Sequence, residues 1–111
     1  MDIHKLTDNY AVSEQITVED IAEINAQGFK SIVCHRPDDE VDGQPSFDEI
    51  SAAAEAVGIK MRHIPVTSAG LTMEAVRDMV DAIEEMDMPM LGYCRSGNRS
   101  TVIFKNAQSQ M

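Results

Sequence analysis

Basic residues are scarce in this 111-residue chain: nine Lys and Arg stand against nineteen Asp and Glu, a formal charge of −10. Binding a nucleic-acid backbone needs clustered Lys and Arg, so the deficit argues against a nucleic-acid partner and disfavours anionic membrane surfaces. Long apolar runs are missing as well, and none approaches the ~20 residues of a membrane span. The opening Met1-Asp2-Ile3-His4-Lys5-Leu6-Thr7-Asp8 has neither the basic nor the apolar region of a secretory signal. Cysteine is limited to Cys34 and Cys94, enough for one bridge at most. With no export signal, both are expected as reduced thiols in a cytoplasm. The two cysteines with His4, His35 and His63 show none of the spacings of a zinc cluster, so no metal and no cofactor is expected. Repeats, low-complexity stretches and linkers are also lacking. Residues 1–111 therefore read as one domain with one modest core.

What remains is regular alternation. Leu6 and Tyr10-Ala11-Val12 suggest a short hairpin around Thr7-Asp8-Asn9. Thr17 can cap a helix running to about Gln27, with Gly28 as its terminator. Phe29–Cys34 reads as a strand, followed by a long polar connection from His35 to Pro45. Ser46-Phe47-Asp48-Glu49 is a capping box opening a helix whose apolar face is Phe47, Ile50, Ala54 and Val57. Ile59–Ile64 is the next strand. Thr72 then caps a helix with Val76, Met79, Val80 and Ile83 on one face. Pro89 to Tyr93 is a buried strand, and a short final helix follows the loop after it. Alternation of this kind predicts an α/β fold, a mostly parallel central sheet flanked by helices. Ligands bind such sheets outside the carboxyl ends of the strands. There the reading gathers Cys34-His35-Arg36, His63 with Pro65-Val66-Thr67-Ser68, and Cys94, with at least one of these a bystander.

The chemistry concentrates in Tyr93-Cys94-Arg95-Ser96-Gly97-Asn98-Arg99-Ser100. A strand, a tight glycine-containing loop and a helix start make a cradle whose backbone N–H groups point at an anion. A thiol held there ionises readily, which makes Cys94 the candidate nucleophile and Arg99, with the loop amides, its anion-stabilising partner. Arg95, Ser96, Gly97, Asn98 and Ser100 complete the candidate substrate-binding loop. Ser100 can act as helix N-cap, as donor to the thiolate, or as both. Arg36 is a candidate second cation that can equally pair with Asp38 or Asp39. His63 is either a donor near Cys94 or a packed residue of its strand. Cys34 is a candidate resolving thiol. An acidic body with local cations suits a small anionic or sulfur-bearing substrate.

Two reactions compete for this loop. Tyrosine and dual-specificity phosphatases place five residues between cysteine and arginine, whereas Arg95, Ser96, Gly97 and Asn98 make four here. A smaller ring fits a persulfide better than a phosphoryl group. The segment Pro65–Leu71 also lacks a carboxylate to protonate a departing oxygen. Asp38, Asp39 and Glu40 can reach in only if their long loop folds over. Both points favour rhodanese-like sulfur transfer, from thiosulfate or glutathione persulfide through a Cys94 persulfide to a thiol or cyanide. A cysteine-dependent phosphatase hydrolysing phosphate monoesters is the alternative, and a non-catalytic anion- or partner-binding module is the third reading.

The chain resembles the bacterial beta-lactamase-hydrolase-like family, whose members occur alone or joined to metallo-β-lactamase-like persulfide dioxygenases. The resemblance rests on Lys5-Leu6-Thr7, Val12-Ser13-Glu14-Gln15-Ile16, Gly28-Phe29-Lys30-Ser31-Ile32, Arg36-Pro37-Asp38, His63-Ile64-Pro65-Val66-Thr67-Ser68 and the Cys94 loop. It implies a dual-specificity/tyrosine-phosphatase-like fold, sulfurtransferase activity, Cys94 as nucleophile, Arg99 as loop arginine, and a functional link to a persulfide dioxygenase. His35 stands where the family suggests asparagine, and Asn98 where threonine is common. Cys34 inherits no role.

Overall fold

The structure, a computed structural model, describes residues 1–111. Five strands form one sheet: β1 (Ile3–Lys5), β2 (Tyr10–Ser13), β3 (Ser31–Cys34), β4 (Lys60–His63) and β5 (Met90–Tyr93). Their spatial order is β1-β2-β5-β3-β4, with β1 antiparallel to β2 and every other pairing parallel. Four helices cover it: α1 (Ile21–Ala26), α2 (Phe47–Ala56), α3 (Met73–Glu85) and α4 (Asn98–Ser109). The predicted single α/β domain is the one observed.

Local chemistry explains most boundaries. Thr7 Oγ1 accepts from the amides of Asn9 and Tyr10 and so closes the β1–β2 hairpin. Ser46 Oγ accepts from Glu49 N at 3.1 Å and Thr72 Oγ1 from Ala75 N at 3.1 Å, so α2 and α3 start where their caps predict. The helix expected from Thr17 begins instead as a 3-10 turn, Val18–Asp20, before α1 takes over. β3 and β4 are shorter than the apolar runs that announce them, because the backbone before each is engaged elsewhere: Lys30 N donates to Pro89 O, and Ile59 N to Ala54 O of α2. Val57, expected on the buried face of α2, is instead exposed at its C-terminus.

The sheet is covered on both sides, so its strands bury both faces. Tyr10, Val33 and Met90 pack with Met79 of α3 and Ile103 and Phe104 of α4. Ala11, Ile32, Leu91 and Tyr93 pack on the other side with Ile24 of α1 and Ile50 of α2. Alternate residues of β5 thus feed opposite cores. Ser13, Tyr93, Cys34 and His63 lie side by side in the strand register. Three polar loops consequently leave the sheet at one edge, where the alternation predicts a ligand crevice.

Candidate active site

Cys94 follows directly on β5, and four residues later α4 is under way. Gly97, the N-cap of α4, has φ 95°, a left-handed conformation that glycine adopts without the usual Cβ clash. This turn directs the Gly97 amide onto Cys94 Sγ at 3.0 Å. Ser100 sits one turn inside α4 rather than at its cap, which corrects the N-cap reading. Its buried hydroxyl has no other partner, and a hydroxyl hydrogen turns to suit its acceptor. Burial pushes the Cys94 thiol up. The amide and hydroxyl of Ser100 and the amides of Gly97 and Ser96 outweigh that effect and hold it below the ordinary thiol range.

Behind the loop, Tyr10 stacks on Phe104 with ring centroids 3.8 Å apart, and its hydroxyl donates to Ser100 O at 3.4 Å. A Cβ on Gly92 would strike the Tyr10 hydroxyl, so the glycine two residues before Cys94 makes room for a side chain that braces α4. Neither residue was marked by sequence reasoning; their meeting depends on the β2–β5 pairing.

The arginines are held by a residue the sequence reading left at a distance. The loop after β3 does fold over, and Glu40 arrives beside Arg99. Arg99 Nη1 donates to Glu40 Oε2 at 2.7 Å and to Val66 O at 2.7 Å, while Nη2 donates to Glu40 Oε1 at 2.9 Å. Arg36, almost fully buried, gives Nε to Glu40 Oε1 at 2.9 Å and Nη1 to Gln15 Oε1 at 3.0 Å. Its expected partners, Asp38 and Asp39, are not the ones used, since Asp38 Oδ1 instead accepts from the Phe47 amide at the start of α2. The Arg99 guanidinium, followed by that of Arg36, depresses the Glu40 carboxyl to about 2 against the opposing effect of burial. Neither pair has a local sequence signal: Arg36 and Glu40 stand four residues apart in a connection with no helix, and Arg99 is remote in sequence.

His63 serves the scaffold: its Nε2 meets Arg36 O at 2.8 Å, and its ring lies parallel to Phe47 at 4.7 Å. Cys34 donates to the same carbonyl at 3.3 Å and, pushed up by burial to about 11, remains a free thiol, as does Cys94. His35 is wholly buried; its Nδ1 pairs with Ile64 O at 2.9 Å and its Nε2 has no partner. Arg95, Ser96 and Asn98 are exposed on the outer side of the loop. A cavity of about 370 Å³ is lined by Glu40, Ser68, Arg95 and Arg99. Cys94 itself has 0% of its surface exposed, beneath that rim.

Residues 2–111 match the family model described as "Beta-lactamase hydrolase-like protein, phosphatase-like domain". A Beta-lactamase hydrolase-like protein of Agrobacterium fabrum is 30% identical over 100 residues, covering 90% of this chain and 23% of that protein. The chain thus spans about a quarter of the length of the curated relatives it matches. Among solved structures, a putative phosphatase from Neisseria meningitidis superposes with a TM-score of 0.87 at 34% identity, over 100% of this chain and 80% of that one. The core catalytic domain of the PP-IP phosphatase SIW14 from S. cerevisiae, solved in complex with citrate, shares the fold at a TM-score of 0.68 and 14% identity, over 96% and 74% of the two chains.

These relationships overturn sulfur transfer as the leading activity: the relatives are phosphatase-like, and none of them is described as a sulfurtransferase. One physical expectation is settled by the loop after β3: the Pro65–Leu71 connection holds no carboxylate, but the long loop does fold over and brings Glu40 beside Arg99.

Proposed function

The chain belongs to the phosphatase-like domain family of beta-lactamase hydrolase-like proteins, and on that premise we propose that it is a cysteine-dependent phosphatase acting on phosphate monoesters. The observation that carries this reading is the Gly97 amide aimed at a buried Cys94 thiol whose pKa is lowered, with Arg99 from the same helix start interacting with its sulfur. Cys94 Sγ attacks phosphorus, the ester P–O bond breaks, and a phosphocysteine forms. Water then attacks phosphorus, releases inorganic phosphate and returns the thiolate. Arg99 and the amides of Ser96, Gly97 and Ser100 carry the equatorial phosphoryl oxygens, on which charge is held through both steps. Arg95, at the exposed rim, meets the remainder of an anionic substrate, and Arg36 acts through Glu40 from within the fold.

The carboxylate at the rim is ionised by two arginines, so the site favours leaving groups that need little protonation. Aryl phosphates are therefore the better substrates and alkyl phosphates the poorer ones. Turnover of p-nitrophenyl phosphate measured beside that of glycerol phosphate tests this. We expect aryl hydrolysis that Cys94→Ser abolishes and Arg99→Ala reduces by about a hundredfold or more. Equal rates on both esters would refute the leaving-group reasoning, and hydrolysis surviving in Cys94→Ser would refute the mechanism.

A further inference from the structure

The most informative unassigned feature is Glu40. Its two oxygens take one N–H from each terminal nitrogen of Arg99, end-on, and one of them is shared with Arg36 Nε. A carboxylate in this position has the charge sign and bite of the expected ligand. It is anchored as a unit with its loop: the Glu40 amide donates to Gln44 Oε1 at 3.2 Å, and Gln44 Nε2 donates to Pro37 O at 2.9 Å. The Cys94 thiol has no exposed surface, and the cavity lined by Glu40, Ser68, Arg95 and Arg99 does not include it.

We propose that Glu40 is a built-in competitor for the phosphate seat, a latch that holds Arg99 and covers Cys94 until a dianionic phosphate displaces it. The inference rests on the phosphatase reading of the same site. It adds selectivity by charge. A carboxylate ligand replaces like with like at Arg99, whereas a phosphomonoester dianion brings more charge to a seat flanked by Arg99 and Arg36. Monoesters therefore open the latch better than diesters or simple carboxylates. The displaced Glu40 retains Arg36, so the loop has a defined partner in the open state.

The test uses the whole chain, with inorganic phosphate binding followed by calorimetry and Cys94 alkylation by iodoacetamide followed by intact mass. Glu40→Gln keeps the side-chain volume and removes the charge. It should tighten phosphate binding about five- to tenfold, the effect expected of one partly exposed bidentate pair, and alkylate at Cys94 several-fold faster. If that variant loses its thermal transition, Gln44→Ala loosens the loop in the intact protein and should shift both readouts the same way. A folded Glu40→Gln with wild-type affinity and alkylation rate overturns the latch. If its phosphate binding also still depends on Arg99, the phosphatase reading survives that failure. Absence of phosphate binding in both wild type and Glu40→Gln overturns the two together.

Discussion

Gly97→Ala separates the backbone's contribution to the site from that of its side chains. At φ 95° an alanine is strained by about 1–2 kcal/mol, and its Cβ, 3.4 Å from Ser13 O, adds no steric clash to that backbone cost. The chain has two responses. If it keeps the left-handed turn, the strain appears as lost stability, and a domain of this size loses roughly 4–12 °C in Tm for such a cost. If it relaxes the turn, the amide that donates to Cys94 at 3.0 Å swings off and the thiol pKa rises. Thermal unfolding by circular dichroism reads the first response, and the pH dependence of Cys94 alkylation reads the second. The expected outcome is a lower Tm, a thiol that alkylates only at higher pH, or both. A variant with wild-type Tm and an unchanged alkylation profile would refute the claim that this one dihedral angle builds the anion cradle.

Two further outcomes follow from buried neighbours of the site. Gly92→Ala drives a methyl group into the Tyr10 hydroxyl and 2.9 Å from its Cζ; overpacking there should cost about 1–3 kcal/mol in urea unfolding, partly relieved in Tyr10→Phe/Gly92→Ala, which removes the hydroxyl and keeps Cζ. Burial holds the imidazole of His35 down to about 4, below its ordinary 6.5. Between these values the unfolded chain binds a proton that the folded chain refuses, so stability is full above about pH 6.5 and falls toward pH 4. The loss amounts to at most about 3 kcal/mol. Urea titrations across that range should show the slope in the wild type and a flatter profile in His35→Gln.

Much of the fold was legible because its signals are local. Ser46 and Thr72 cap helices whose hydroxyls bond within three residues, and the period of Val76 and Met79 reports the buried face of α3 directly. Strand ends were overestimated where apolar residues such as Phe29 and Ile59 are buried by packing outside any strand. The thiol cradle was legible for the same reason as the caps: Cys94, Gly97, Arg99 and Ser100 lie within seven residues, so one turn of chain assembles them. Glu40 was not. Fifty-nine positions separate it from Arg99, and nothing in a run of Asp38, Asp39 and Glu40 says which carboxylate a long loop delivers. Arg36 is similar, since its buried guanidinium is decided by Gln15 and Glu40 together rather than by the acids beside it.

The failure of the ring-size argument has a definite physical content. A count of residues between cysteine and arginine fixes a contour length, but an anion senses the directions of N–H groups and the charge around them. Gly97 in a left-handed turn turns its amide toward Sγ, and α4 adds the Ser100 amide and hydroxyl from the next turn, so the donors that lower the thiol pKa come from both loop and helix. The arginine interacts with the Cys94 sulfur and also reaches a carbonyl of the β4–α3 connection and a carboxylate of the β3–α2 connection. The seat is therefore bounded by three loops converging at one sheet edge, those that follow β5, β3 and β4. In an acidic chain, an arginine exposed at that edge would be neutralised by whichever carboxylate could reach it. Holding one chosen carboxylate there, with Arg36 as its anchor, keeps the seat formed and leaves it open to exchange with a more highly charged anion.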